Sequence, residues 1–139
     1  MLDAEPKMSN RDEDGAKALG ELIALAHEGN WEAVDAALPS VATKEAVLAW
    51  AKESLKSENP DMRDLAASIF EKNPAILESD IFDTLFDMVD TEEHEPARFR
   101  ATCALWEHGY RQEKIYIAMQ DFAVSDDADI AALAKAKLK

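Results

Sequence analysis

The run Glu92–Glu95 (E-E-H-E) offers three carboxylates and one imidazole in consecutive positions, and Asp87 and Asp90 lie shortly before it. Carboxylate oxygens are ligands that Mg²⁺ and Ca²⁺ prefer, so the run could bind a divalent cation weakly. It lacks both the ligand spacing and the glycine of an EF-hand loop. A solvated acidic loop explains the run better, and we predict no bound metal and no cofactor.

Other residue types that perform catalysis are present but scattered. His27, His94 and His108 are widely separated, and none belongs to the H-E-x-x-H motif of zinc proteases. Cys103 lies on a predicted buried helix face without the elbow motif of a nucleophile, and no Gly-rich phosphate loop occurs. We therefore predict no catalytic residue and no enzymatic activity. The enzyme alternative would rest on a carboxylate-bound metal at Glu92–Glu95.

The carboxylates that remain are arranged on one helical face. At 100° per residue, the segment Glu78–Asp90 places its large apolar residues on one side and Asp80, Asp83, Asp87 and Asp90 on the other. From Glu78 to Glu95 the chain contains no lysine or arginine, and the local formal charge is −8. Like charges three or four residues apart destabilise an isolated helix by a few tenths of a kcal/mol per pair, roughly. This cost suggests that the acidic face has a function.

The whole chain is acidic, with 29 aspartates and glutamates against 15 lysines and arginines and a net charge of −14. Nucleic-acid affinity comes mainly from basic residues that neutralise phosphates, so we predict no direct contact with nucleic acid. A basic protein partner fits this charge, although solubility alone would also account for it. No stretch is long enough to span a membrane, and the N-terminus lacks the regions of a signal peptide, so we predict a cytoplasmic protein without membrane contact.

These residues must be positioned by helices, because only four glycines occur among 139 residues and alanine, leucine, glutamate, lysine and aspartate dominate. We predict a flexible acidic tail over residues 1–15 and an all-α domain over residues 16–139, with about eight helices. Gly29 and Gly109 predict helix ends, and Pro39 predicts the end of a short helix at Leu38. The expected helices include Ala16–Glu28, Thr43–Lys56, Asp61–Lys72 (with Pro60 suited to its first position), Glu78–Asp90, Glu95–His108, Gln112–Val124 and a last one up to Lys139.

Three segments share one pattern: Pro60–Phe70 (P-D-M-R-D-L-A-A-S-I-F), Glu95–Leu105 (E-P-A-R-F-R-A-T-C-A-L) and Ala128–Leu138 (A-D-I-A-A-L-A-K-A-K-L). Each has an alanine in mid-helix (Ala66, Ala101, Ala134) and a larger apolar residue four positions later. A helical pattern that recurs at a period in the thirties is typical of solenoids. A compact bundle of the same helices is the structural alternative.

The segment Pro60–Phe70 resembles the first helix of HEAT repeats, which commonly reads P-E-V-R-x-x-A-A-x-A-L. Glu95–Leu105 resembles a further copy in which Pro96 stands one residue closer to Arg98, and Ala128–Leu138 resembles another in which Ala131 replaces the arginine. The resemblance implies an α-solenoid of stacked antiparallel helix pairs, with the second helix of each pair on the inner surface. HEAT-like proteins are mostly binding scaffolds, so the resemblance also implies binding.

The sequence thus predicts a non-catalytic interaction module that binds a basic partner surface through an acidic helical face. The expected contact residues are Asp80, Asp83, Asp87, Asp90, Glu92 and Glu93, together with Trp50 and Tyr116, which lie at the margins of apolar helix faces. The alternative function is an inhibitor or immunity-type protein that occupies a nucleic-acid-binding site by presenting carboxylates where phosphates would lie. Carboxylates on successive turns are about 5–6 Å apart, near the phosphate spacing but not equal to it.

Overall fold

The computed structural model describes residues 10–139, and across them the chain forms eight α-helices and no strand. This confirms the prediction of an all-α chain with about eight helices. Helix α1 begins at Asn10, six residues before the expected start at Ala16, and residues 1–9 of the predicted tail lie outside the described residues. The helices are α1 (Asn10–His27), α2 (Trp31–Val41), α3 (Glu45–Ser54), α4 (Pro60–Lys72), α5 (Ser79–Thr91), α6 (Glu95–Glu107), α7 (Glu113–Phe122) and α8 (Ala128–Leu138).

Two glycines end helices as the sequence predicted. Gly29 and Gly109 have positive φ angles of 76° and 90°, a conformation in which a side chain would be strained. After each glycine, the next amide donates back into the helix, from Asn30 to the carbonyl of Leu25 (2.9 Å) and from Tyr110 to that of Leu105 (3.1 Å). These bonds satisfy carbonyls that the end of a helix would otherwise leave without partners.

Helix α2 continues through Pro39 to Val41, so the predicted end at Leu38 was wrong. Proline removes one helical hydrogen bond and crowds the carbonyl four residues earlier. The last turn nevertheless closes, because the amide of Ala42 donates to the carbonyl of Leu38 (2.9 Å) and both residues are fully buried. Packing outweighs the local cost of the proline here. Helix α3 is two residues shorter at each end than predicted.

Helices α4 and α6 form the centre of the packing. Helix α4 contacts α1, α2, α3 and α6, and α6 also contacts α5 and α7. The alanines that recur in the sequence, Ala66 on α4, Ala101 on α6 and Ala134 on α8, are all fully buried, and small residues allow helices to approach closely. Helix α1 also packs against α3, and α5 against α7. This arrangement is compatible with a helical-repeat fold.

A single hydrophobic core connects all eight helices. Within it, Phe99 on α6 meets Phe122 on α7 edge to face, with ring centroids 5.0 Å apart. Such aromatic pairs add stability beyond the area they bury. No described helix has both the length and the apolar composition needed to cross a membrane.

Candidate functional site

Helix α5 presents four carboxylates on its outer face, and we call Asp80, Asp83, Asp87 and Asp90 the α5 stripe. All four are exposed, whereas Leu85 on the opposite face is fully buried. The amphipathic division predicted for this helix is therefore present. Each stripe residue occupies a position three or four residues from the next, so successive carboxylates are neighbours on the helix surface.

Two lysines from neighbouring helices lie close to acidic residues at the two ends of this helix. Lys114 on α7 lies 3.1 Å from the carboxylate of Asp90, and Lys52 on α3 lies 2.8 Å from that of Glu78. Within the part of the chain that the structure describes, no lysine, arginine or histidine nitrogen lies within 4 Å of the carboxylates of Asp83 and Asp87. The middle of the α5 stripe therefore has negative charge that no neighbouring side chain neutralises.

Two aromatic rings flank the stripe. Phe82 and Phe86 are half-buried, and their rings stack with centroids 5.3 Å apart. Tyr110 lies against Phe82 at 4.7 Å, and the ammonium of Lys114 lies 3.9 Å from the centroid of Phe86. The sequence assigned both phenylalanines to the core. Their partial exposure adds apolar surface beside the carboxylates.

Glu92 does not belong to the exposed set to which the sequence assigned it. Its side chain is only 4% exposed and accepts two hydrogen bonds from Arg63, from Nε at 2.6 Å and from Nη2 at 2.8 Å. These bonds hold the pKa of the Glu92 carboxyl below its ordinary value. Arg63 also donates to the carbonyl of Ser57 (2.8 Å). Glu92 therefore ties the loop before α6 to α4 and has no free face for a partner.

The other three residues of the run Glu92–Glu95 have different surroundings. Glu93 is exposed, as the sequence predicted. The ring of His94 lies 3.8 Å from the carboxylate of Asp61, and Glu95 accepts a hydrogen bond of 2.7 Å from the hydroxyl of Ser125. Among the described residues, no group of three or more histidine, cysteine, aspartate or glutamate side chains could hold a metal ion.

The two predicted aromatic contact residues lie on different helices, α3 and α7. Trp50 on α3 is half-buried and packs against the core. Tyr116 on α7 is 42% exposed, and its ring lies 5.7 Å from that of Trp106. Because α7 packs against α5, Tyr116 belongs to a helix that adjoins the stripe.

A second acidic region, which the sequence analysis missed, surrounds a groove between α2, α4, α6 and α8. We call it the α2–α8 groove, and its volume is about 590 Å³. Carboxylates from three helices and one helix cap line it: Glu32, Asp35, Asp61, Asp64, Asp127 and Asp129. The only arginine or lysine on this lining is Arg100, and His94 lies at its edge.

The remaining walls of the α2–α8 groove are largely apolar. Phe99 and Ile130 are buried, Trp31 is half-buried, and Leu133 is 45% exposed. Ligand sites in proteins commonly combine apolar walls with a few polar groups in a volume of roughly 300–1,000 Å³. The groove has both properties.

Arg100 lies at the base of the groove with a side chain only 14% exposed. It donates to Asp35 on α2 (3.0 and 3.1 Å) and to Glu71 on α4 (3.2 Å). Burial acts to lower the pKa of Arg100, but the nearby carboxylates of Glu71, Asp35 and Asp64 outweigh it and raise that pKa. One guanidinium thus joins α2, α4 and α6.

Asp64 is the least well paired of these carboxylates. Its side chain is 5% exposed, its Oδ1 accepts a long bond of 3.4 Å from Ser68, and that atom lies 3.7 Å from Arg100 Nε. No donor among the described residues lies within hydrogen-bond distance of its Oδ2. Burial raises the pKa of Asp64 to about 7. The ordinary pKa of an aspartate is about 3.9, far below this value.

The buried charges continue from the groove toward the end of α8. Lys137 lies 3.3 Å from Glu71 and 2.7 Å from Glu107, and its hydrogen bond keeps the pKa of Glu107 below the ordinary value. Cys103 is fully buried nearby, and burial raises the pKa of its thiol. A thiol that stays protonated is a poor nucleophile.

Sequence reasoning missed the groove because its carboxylates come from three separate helices and one helix cap, so no short stretch of sequence contains them together. Arg100 and Asp35, for example, are 65 positions apart. The available signal was the recurrence itself, since acidic residues at the starts of α2, α4 and α8 meet if those helices lie side by side. Comparison with known protein families, with curated proteins and with solved structures finds no match to this chain.

Proposed function

We propose that this chain is a non-catalytic binding protein, built as a HEAT-like helical-repeat scaffold, that recognises a basic surface of a partner protein through the α5 stripe. The observation that carries the proposal is the state of Asp83 and Asp87. Both are exposed, both lack a cation within 4 Å among the described residues, and they stand one helical turn apart. Their mutual repulsion is relieved when a basic partner supplies the missing cations.

The aromatic residues beside the stripe add apolar contact surface to its charge. Exposed ion pairs contribute little affinity by themselves, while partly buried aromatic residues are frequent energetic anchors of interfaces. Phe82 and Phe86 are half-buried beside Asp83 and Asp87 and suit that role. In this mechanism the carboxylates accelerate encounter with a basic protein, and the rings hold the complex. Glu93, Tyr116 and Trp50 remain candidate flanking contacts, while Glu92 does not.

The scaffold part of the proposal is supported by recurring polar contacts. Arg63 pairs with Glu92 and Arg100 with Glu71, each across 29 positions, and Ser125–Glu95 and Lys137–Glu107 each span 30. In a repeat protein each unit contacts mainly its neighbours, so contacts of one sequence separation recur. The buried alanines Ala66, Ala101 and Ala134 recur at a similar period.

The test is affinity capture from a lysate of the source organism with three forms of the chain: the native form, Asp83→Lys/Asp87→Lys, and the control Glu21→Lys/Glu28→Lys. The control changes the net charge equally, at two exposed acidic residues, Glu21 on α1 and Glu28 directly after that helix. We expect the stripe variant to lose a partner that the control retains. With that partner purified, its association rate should fall by about tenfold or more at low salt for the stripe variant only.

Capture of the same partners by all three forms, with equal association rates, would remove the α5 stripe from the function. A captured partner that binds nucleic acid, and from which a DNA or RNA duplex displaces this chain, would assign the alternative role of phosphate mimicry.

A further inference from the structure

The α2–α8 groove has more negative charge than its own cation can balance. Six carboxylates line it and one guanidinium, that of Arg100, is present among them. That guanidinium is already engaged by Asp35 and by Glu71, which lies behind the groove lining. The carboxylates of Glu32 and Asp129 face solvent at the rim, and neither has a cation within 4 Å in the described chain. The excess negative charge of the groove therefore favours the binding of a further positively charged group.

Asp64, which is buried inside the groove, also lacks a close positively charged partner. Its buried Oδ2 has no donor within the described residues, and its nearest cation, Arg100 Nε, is 3.7 Å away. A buried polar group without a hydrogen bond costs roughly 1–3 kcal/mol, so such groups are rare unless a ligand or solvent completes them. Its pKa of about 7 reflects this lack of compensation.

The shape and chemistry of the walls restrict the kind of ligand that can supply the positive charge. Trp31 and Leu133 leave apolar surface accessible beside the carboxylates. A hydrated metal ion would gain nothing from that surface, and nucleic acid would be repelled by the rim. A guanidinium is planar, weakly hydrated and able to stack on aromatic faces while it donates to carboxylates. A leucine-like side chain next to it would cover Leu133.

We propose that the α2–α8 groove is a second binding site, separate from the α5 stripe, for an arginine-bearing basic peptide segment of a partner protein. Arginine side chains meet Glu32, Asp129 and the open oxygen of Asp64, and an apolar side chain of the segment packs on Trp31 and Leu133. The site stands whether or not the α5 stripe binds a protein, because it is formed by other helices.

The experiment measures the dissociation constants of blocked, fluorescein-labelled pentapeptides by anisotropy at physiological salt. One peptide alternates leucine and arginine, one alternates leucine and lysine, and one alternates glycine and arginine. The variants are Glu32→Gln/Asp129→Asn at the groove and Asp83→Asn/Asp87→Asn at the α5 stripe, which remove equal charge from exposed positions. Leu133→Ala, also at an exposed position, tests the apolar contact.

We expect the leucine–arginine peptide to bind at least several-fold more tightly than the lysine peptide. Glu32→Gln/Asp129→Asn should weaken it by about tenfold or more, while the stripe variant leaves it unchanged. Leu133→Ala should weaken only the peptides that contain leucine. Equal weakening by the two charge variants would show attraction by net charge alone and overturn the proposal, as would absence of binding or no effect of Leu133→Ala on any peptide.

Discussion

The α5 stripe and the cluster around Arg100 both contain carboxylates, but these differ in burial and in the cations around them. Asp83 and Asp87 are exposed and have no cation within 4 Å among the residues that the structure describes, whereas Glu71 is buried between Arg100 and Lys137. Both regions lie on regular helices. The difference is made by neighbouring helices, which bring cations to Glu71 from α6 and α8 but bring none within 4 Å of Asp83 or Asp87 in the described part of the chain. Burial with cations serves the fold, and exposure without them leaves charge available for a partner.

The two regions also differ in what the removal of one charge should cost. A buried ion pair contributes little net stability because both ions lose their hydration, yet removing one partner leaves the other buried and uncompensated. An exposed charge keeps its hydration and loses little. Substitutions in the two regions should therefore differ in magnitude and even in sign.

The largest effect is expected for Arg100→Met. The substitution keeps an unbranched apolar stem but leaves Asp35, Asp64 and Glu71 without the guanidinium that joins them. We expect the free energy of unfolding at pH 7, measured by urea titration, to fall by about 3–5 kcal/mol.

The matched control for that change is Lys52→Met, which breaks the pair with Glu78, whose two side chains are 45% and 60% exposed. Its cost should be far smaller than that of Arg100→Met, because an exposed ion pair contributes little to stability. Equal losses for the two variants would mean that the Arg100 cluster has no special structural role.

A second, smaller effect is expected in the pH dependence of stability. The folded-state pKa of Asp64 is raised to about 7, above the value of about 3.9 typical of unfolded chains. The folded protein therefore binds the Asp64 proton more tightly, and this contribution to stability is complete below about pH 4 and is lost as the pH rises to about 7. Asp64→Asn, which resembles the protonated acid, should match the native form at pH 4 and exceed its stability at pH 8, by up to about 4 kcal/mol.

Glu92→Gln is the control, because Glu92 should change the stability with pH in the opposite direction to Asp64. Hydrogen bonds from Arg63 lower the pKa of Glu92, so its contribution is present above the unfolded pKa and is lost as the pH falls through the lower, folded value. The advantage of the native form over Glu92→Gln should shrink in acid. If the native, Asp64→Asn and Glu92→Gln stability curves run parallel between pH 3 and 8, neither carboxylate is perturbed as the structure indicates.

The comparison also separates what the sequence could predict from what it could not. Helix content, the ends at Gly29 and Gly109 and the two faces of α5 follow from local pattern, because each depends on residues within a few turns. The continuation of α2 past Pro39 depends on burial of Ala42, which is decided by other helices. The burial of Glu92 depends in the same way on Arg63, which lies 29 positions away.

The groove shows the same limit at the level of a site. Asp35, Asp64 and Arg100 belong to three different helices, and no local window contains all of them. Their meeting depends on how α2, α4 and α6 are packed, which the period of the repeats suggested without fixing. The stripe was visible in the sequence because one helix contains all of it.

The smallest expected effect is on the α5 stripe, and its sign is informative. Asp83→Lys places a cation three residues after Asp80 and four before Asp87, so two repulsive neighbours become attractive. We expect the free energy of unfolding at low salt to rise by about 0.3–1 kcal/mol, and the gain to disappear in about 1 M salt, where exposed charges are screened. A loss of more than about 1 kcal/mol would show that Asp83 supports the fold and would place it with Glu71 rather than apart from it. A gain in stability combined with a slower association of the captured partner would mean that the aspartate is kept at a cost to the helix, as expected of a residue that acts on another molecule.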